Sequence, residues 1–274
     1  MSLIIPEVYA NAITKNMKGR LKVTQLSKKL DLPAFKQVGE TVVFPMFNAI
    51  GECEDVKKGI ALKTEDLTQT SSTAKVINKG KAVRIYDVDD KTALGDFIEN
   101  ANMQQARVFA KELDRQLVVE ALKTSLKVAT GDVKAITADE LNNGLALFGD
   151  EQDTEDFAGI VIHSLLINSM LNMQEFISAS NTTVVPGNGI MRNGLLGFFR
   201  GIPVYVSDTA MDQNECTTLI IKKDSLAYML KKDFNIEEER EAKLLATDIV
   251  ANMMFAVKQI NSEGVVVLRK TISK

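Results

Sequence analysis

Residues capable of chemistry are few in this 274-residue chain, and they do not converge. His163 is the single histidine, so a histidine-based zinc cage would need several carboxylates or cysteines beside it, and any nucleophile activated by imidazole has one base to draw on. It stands at the end of the apolar run 157–162, where a structural histidine is expected. Cys53 and Cys216 show no C-x-x-C spacing and suggest a reducing compartment, although separation in sequence does not forbid pairing. Gly187, Gly189 and Gly194 lack the spacing of a dinucleotide-binding turn, and no G-x-x-x-x-G-K-[ST] phosphate loop occurs. The acidic stretch from Asp150 to Asp156 lacks the glycine and terminal glutamate of a calcium loop, so a solvated turn is expected, with loose cation binding as the alternative. Tryptophan is absent and Tyr9, Tyr86, Tyr205 and Tyr228 are dispersed, which gives no stacking platform for single-stranded nucleic acid. The residues thus name no catalytic, cofactor-binding or metal site, and a small-molecule enzyme is a minor reading.

Charge is organised more clearly than reactivity. Between positions 15 and 36, Lys15, Lys18, Arg20, Lys22, Lys28, Lys29 and Lys36 are opposed only by Asp31. This basic N-terminal arm is either a contact for a polyanion or the solvated face of a helix and its tail. The formal net charge of −3 adds no global preference for nucleic acid or anionic membrane.

The segment from Val38 to Tyr86 reads as an extended β-hairpin without a core of its own. It leaves through Thr41, Val42, Val43 and Phe44, passes a tip rich in charge, and returns through Val76, Ile77, Val83 and Ile85. A ribbon of this length is marginal alone, so its order must come from another surface, most economically a neighbouring subunit. A disordered loop is the alternative. Lys57, Lys58, Lys63, Phe44 and Ile60 are the candidate inter-subunit contacts on this segment.

Other elements frame these two features. Ala106, Ala110, Leu113, Leu117 and Ala121 recur at helical spacing within 96–127, which predicts a spine helix of roughly 45 Å. Thr137 and Glu140 form a capping box for a helix stopped by Gly149, Ser164 is expected to cap another, and short strands are predicted at 157–162, 202–206 and 219–221. Near the C-terminus, 236–260 fits two long paired strands as well as a weak helix, and 265–268 is a strand. Strands with interleaved helices make the fold class α/β or α+β. No apolar run reaches membrane-spanning length, and the start MSLIIPEVYA lacks a basic region followed by an apolar stretch, so no secretion signal is expected.

The order of these parts carries a resemblance. IIPEVYANAI in a basic arm, GETVVFP on the ascending hairpin strand, the spine helix, and RGIPVYVSD before LIIKKDSLAYML make the chain resemble a major capsid protein of a tailed bacteriophage, whose fold is shared with herpesvirus shells and encapsulins. The resemblance implies an N-arm at 1–37, an extended loop at 38–86, a peripheral domain at 87–130 and 232–262, and an axial domain at 131–231 and 263–274. It also implies the α+β class and paired strands at 236–260. By the same likeness, copies would gather as hexamers and pentamers in an icosahedral shell around double-stranded DNA, assembled in the host cytoplasm and carried in the virion. A portal and separate scaffolding or decoration proteins would be partners, a membrane would not, and no cofactor is implied. Because the arm signature begins within the first ten residues, a separate scaffolding protein or none is expected. Some members join subunits through a lysine–asparagine bond from the extended loop; Lys57, Lys58 and Lys63 are positioned for it, though ordinary surface lysines are the simpler expectation. An encapsulin-like compartment holding protein cargo is the alternative on the same fold.

Overall fold

The computed structural model describes residues 5–31, 40–47, 55–56, 64, 66, 68–92, 95–178 and 194–272. In chain order the elements are α1 (Pro6–Lys18), β1 (Lys28–Lys29), β2 (Thr41–Phe47), β3 (Gln69–Lys75), β4 (Ile77–Tyr86), α2 (Asp87–Thr92), α3 (Phe97–Ala121), β5 (Lys127–Ala129), α4 (Ala138–Ala146), β6 (Phe157–Ile162), α5 (Ile167–Leu171), β7 (Phe176–Ser178) and β8 (Leu195–Phe199). They continue with β9 (Ile202–Val206), β10 (Met211–Asp212), β11 (Glu215–Cys216), β12 (Thr218–Lys222), β13 (Leu226–Glu241), β14 (Ala246–Gln259) and β15 (Val265–Arg269). Among the described residues, two larger sheets form, ordered β1-β13-β14-β4 and β5-β15-β12-β6-β9-β8-β7.

The spine helix α3 has 25 residues, about 37 Å. It starts where the Asp96 carboxylate accepts the Glu99 amide at 2.9 Å, and it ends at Ala121, short of the expected Lys127. Ala106, Phe109, Ala110, Leu113, Leu117 and Ala121 form its buried stripe against the first sheet. The long C-terminal strands are present as the antiparallel pair β13–β14, with register shifts between Leu230 and Asn235 that bend β13. β13 begins at Leu226, so the first sheet takes in 226–231, which the sequence reading assigned to the axial part.

The second sheet serves two cores at once. Ile160, Ile162, Ile220, Val266 and Leu268 face a cluster that includes Leu141 and Leu145 of α4. Their neighbours Val161, Leu219, Ile221, Val265 and Val267 face the other way, into the cluster built on α3 and the first sheet. This is the period-two alternation of strands covered on both faces. Thr124, just beyond α3, donates its hydroxyl to the Val265 carbonyl at 2.8 Å and fixes the end of the spine to β15.

Three expectations need correction. The hairpin's return is two strands: β3 pairs with β2 (Thr41↔Lys75 to Phe47↔Gln69), whereas β4 leaves the ribbon and pairs with β14 (Phe255↔Ile77 to Ala246↔Tyr86). The ribbon therefore ends near Val76, and 77–86 belongs to the first sheet. The N-terminal segment over 6–29 is part of the body: Tyr9, Ile13 and Met17, four residues apart, bury one face of α1 against α3 and the sheet, and β1 pairs with β13 in parallel. The third concerns the region after β6, where His163 caps the turn that follows and Ser164 does not. The Thr137–Glu140 capping box is formed as expected.

Candidate assembly surfaces

The ribbon is anchored on its own chain at its base. Val42, Phe44 and Ala74 pack on Ala227, Met229 and Ala256, the face of the first sheet opposite α3. Phe44 is 0% exposed, so the structure removes it from the list of inter-subunit contacts: alternation along β2 turns Val42 and Phe44 inward and Val43 outward. Lys57, Lys58, Ile60 and Lys63 lie outside the described residues, as do Cys53, Gly187 and Gly189.

The basic residues divide into three sets. Lys15 and Lys18 stand exposed on α1. Lys28 and Lys29 pair with Asp224 and Asp31 at 3.0 and 3.5 Å, both exposed contacts of small energetic weight. Arg20 and Lys22 turn toward the spine, where they meet two further cations, Arg107 and Lys111.

These four line a cleft of about 350 Å³ between the end of α1, the middle of α3 and the residues following β9, with Asp114, Ser207, Asp208 and Thr209 completing its wall. Two hydrogen-bond hubs hold it in place. Asp114 accepts from the Lys22 amide (3.0 Å), the Thr24 amide (2.9 Å) and the Thr24 hydroxyl (2.7 Å). Burial pushes its carboxyl above the ordinary value, against the pull of the Thr24 and Lys22 hydrogen bonds. On the adjoining stretch of α3, Gln105 accepts the Tyr9 hydroxyl at 2.9 Å and donates to the Lys81 and Ile249 carbonyls at 3.0 and 3.1 Å, joining α1, spine and sheet. Gly194 is at φ +86°, and a Cβ there would meet the Val206 carbonyl at 3.2 Å and the Lys22 stem at 3.3 Å. Only glycine admits that approach without strain. Asp208 is held below its ordinary value chiefly by a hydrogen bond from Ser164, with His163, Lys22 and Lys111 assisting against burial.

The arrangement offers charge and shape but brings no catalytic group together. His163 is buried, and its Nδ1 accepts the Leu165 amide at 3.1 Å, a structural cap. Cys216 is a buried free thiol. Among the described residues no group of three His, Cys, Asp or Glu side chains could hold a metal ion, and no helix is long and apolar enough to cross a membrane. A signal for the cleft existed in Asp114, a carboxylate one position beyond Leu113 on the buried stripe of α3, and in Arg107 and Lys111, four apart on one flank.

Comparison with known proteins follows the architecture along nearly its whole length. The capsid structure of the cyanophage P-SCSP1u matches 92% of this chain and 90% of its own with a TM-score of 0.62 at 15% identity. The virus-like particle from Pyrococcus furiosus matches 96% of this chain and 98% of its own with a TM-score of 0.63 at 13% identity. In sequence, the chain is 25% identical over 253 residues to the major capsid protein of Staphylococcus phage phiMR11, spanning 91% of this chain and 87% of that protein. The chain has the tailed-phage major capsid fold. No family model matches it. The long helix α3 and the two-stranded ribbon β2–β3 are the elements anticipated from the sequence.

Proposed function

We infer that the chain is a structural major capsid protein, many copies of which form an icosahedral shell. The observation that carries this is the extent of the match: 91% of the chain aligns with 87% of a phage major capsid protein. The role is structural rather than enzymatic. Double-stranded DNA is the proposed content, and pentamers and hexamers of this chain are the proposed units. The sheet of β1, β13, β14 and β4 with α2 and α3 would be the peripheral domain, and the sheet from β5 to β15 with α4 the axial domain. Lys57, Lys58, Ile60 and Lys63 would reach the adjacent subunit from the loop, and Lys15 and Lys18 would face a neighbour or the genome. A portal and separate scaffolding or decoration proteins would complete a virion assembled in the host cytoplasm.

Expression of the full chain, followed by light scattering and negative-stain microscopy, tests the reading. Closed shells are the expected result, and a monodisperse low-order oligomer at all concentrations would overturn it. An encapsulin-like compartment is the second reading, favoured by the fold match to the Pyrococcus furiosus particle. Nucleic acid in shells recovered from a phage-producing host supports the first reading, and a co-purifying enzyme inside them the second.

A further inference from the structure

Arg20, Lys22, Arg107 and Lys111 share one cleft, and none of the four forms an ion pair with another described residue. The two carboxylates in its wall, Asp114 held by the Lys22 and Thr24 backbone amides and Asp208 held by Ser164 with Lys22 and Lys111 acting on its charge, offset only part of this, leaving four cations against two carboxylates. A concave site with an excess of positive charge concentrates the field and favours an anionic occupant. Its size admits a loop bearing carboxylates and excludes a DNA duplex, which is about 20 Å across and could present only isolated phosphates at the mouth.

The chain itself carries a matching loop. Asp150, Glu151, Asp153, Glu155 and Asp156 are exposed. Glu151 pairs with Lys222 at 2.9 Å, while the other four form no ion pair among the described residues. This loop cannot reach the cleft of its own molecule. It enters β6 at Phe157, and its Thr154 packs on Gly201 just before β9, whereas Ser207 to Thr209 follow the other end of β9. β6 and β9 run parallel, Ile160↔Val204 to Ile162↔Val206, so acidic loop and basic cleft stand at opposite ends of the sheet, about 16 Å or more apart. Opposite charge at the two ends of one body is the arrangement of a head-to-tail contact, which closes into a ring when the rotation between copies allows.

We propose that the acidic loop at 150–156 of one copy docks in the Arg20–Lys22–Arg107–Lys111 cleft of the next copy, steering subunits into head-to-tail rings. The inference rests on the shell reading above and deepens it.

Three full-length variants test it: the cleft variant Arg107→Glu/Lys111→Glu, the loop variant Asp153→Lys/Glu155→Lys, and the chain carrying all four changes. Circular dichroism and thermal melting confirm that each subunit folds; all four positions are exposed, so melting points should stay near the parent's. Each double variant should lose particle yield by about tenfold or more at roughly physiological salt, and the fourfold variant should recover it because attraction is restored with the charges exchanged. Normal assembly of both double variants overturns the proposal, as does a fourfold variant no better than either. A cleft variant that forms normal empty shells but fails to retain DNA also overturns it and assigns the cleft to phosphate. If the parent chain forms no shells, the shell reading fails, and sedimentation velocity of the same chains decides the contact: self-association lost in each double variant and regained in the fourfold one supports it, and self-association indifferent to the changes refutes it.

Discussion

Replacing Phe44 by alanine tests whether the ribbon is held by its own chain. The ring is 0% exposed, and the cluster around it is small: Val42, Ala74, Ala227, Met229 and Ala256, with Leu30, Val76 and Ile260 at its margin. Removing a buried phenylalanine ring costs about 3–5 kcal/mol, and each ~1.4 kcal/mol is tenfold in an opening equilibrium. Among the described residues this is the only buried cluster the ribbon enters, so the loss falls on local detachment of β2 and β3. Amide exchange of hydrogen-bonded positions in β2 and β3 should accelerate by about two to three orders of magnitude, while that of α3 and β12 changes by less than about threefold. Hydrogen–deuterium exchange on the free subunit reads both, with a thermal melt alongside. A melting point lowered as far as by Leu113→Ala, with ribbon amides no faster than in the parent, would refute the reasoning and show that the ribbon unfolds only with the whole body.

Shortening the ribbon, by replacing 51–70 with a short turn, should leave a folded subunit with an unchanged α-helical spectrum but no assembly in light scattering; normal shells from that chain would sink the intersubunit role of the loop. Burial raises the Tyr9 hydroxyl to about 12, above its ordinary 10, so its contribution to stability is present below pH 10 and is lost as pH rises through 12. Tyr9→Phe should flatten that part of the stability–pH curve, measured by denaturant titration, and should cost about 1 kcal/mol at neutral pH through the lost bond to Gln105. A Cβ on Gly264 would lie 2.7 Å from the Ser225 Cβ, so Gly264→Ala should destabilise by about 1–3 kcal/mol, and Ser225→Gly in the same chain should recover part of it in thermal melts.

Much of this architecture was legible where the signal is local. The Thr137–Glu140 box, the 3.6-residue recurrence through Leu113 and Leu117, and the β-branched run at Val265 each depend on near neighbours and were read directly. The buried face of α1 was present as Tyr9, Ile13 and Met17, but the lysines between and after them drew attention to charge rather than to packing. The break at Val76 was hidden because β3 and β4 are both polar enough to read as one edge strand; the burial of β4 alternates only weakly, and the switch of partner from β2 to β14 is a long-range event. The cleft as a whole was hidden for the same reason: Asp114, Arg107 and Lys111 mark its wall on α3, but Lys22 and Asp208 lie in distant stretches of sequence that only the tertiary fold brings to them.

The strands that alternate between two cores have a mechanical consequence. Val161 and Ile162, or Val265 and Val266, are adjacent in the chain yet anchor opposite layers, so the second sheet cannot shift without shearing either the core it shares with α3 and the first sheet or the core it shares with α4. The subunit therefore behaves as a stiff tile rather than a hinged pair of plates. Where copies sit in surroundings of different curvature, the strain of fitting must go to the peripheral attachments, first of all to the ribbon resting on its small cluster around Phe44. Faithful closure of a container then depends on a body that refuses to bend and on margins that yield.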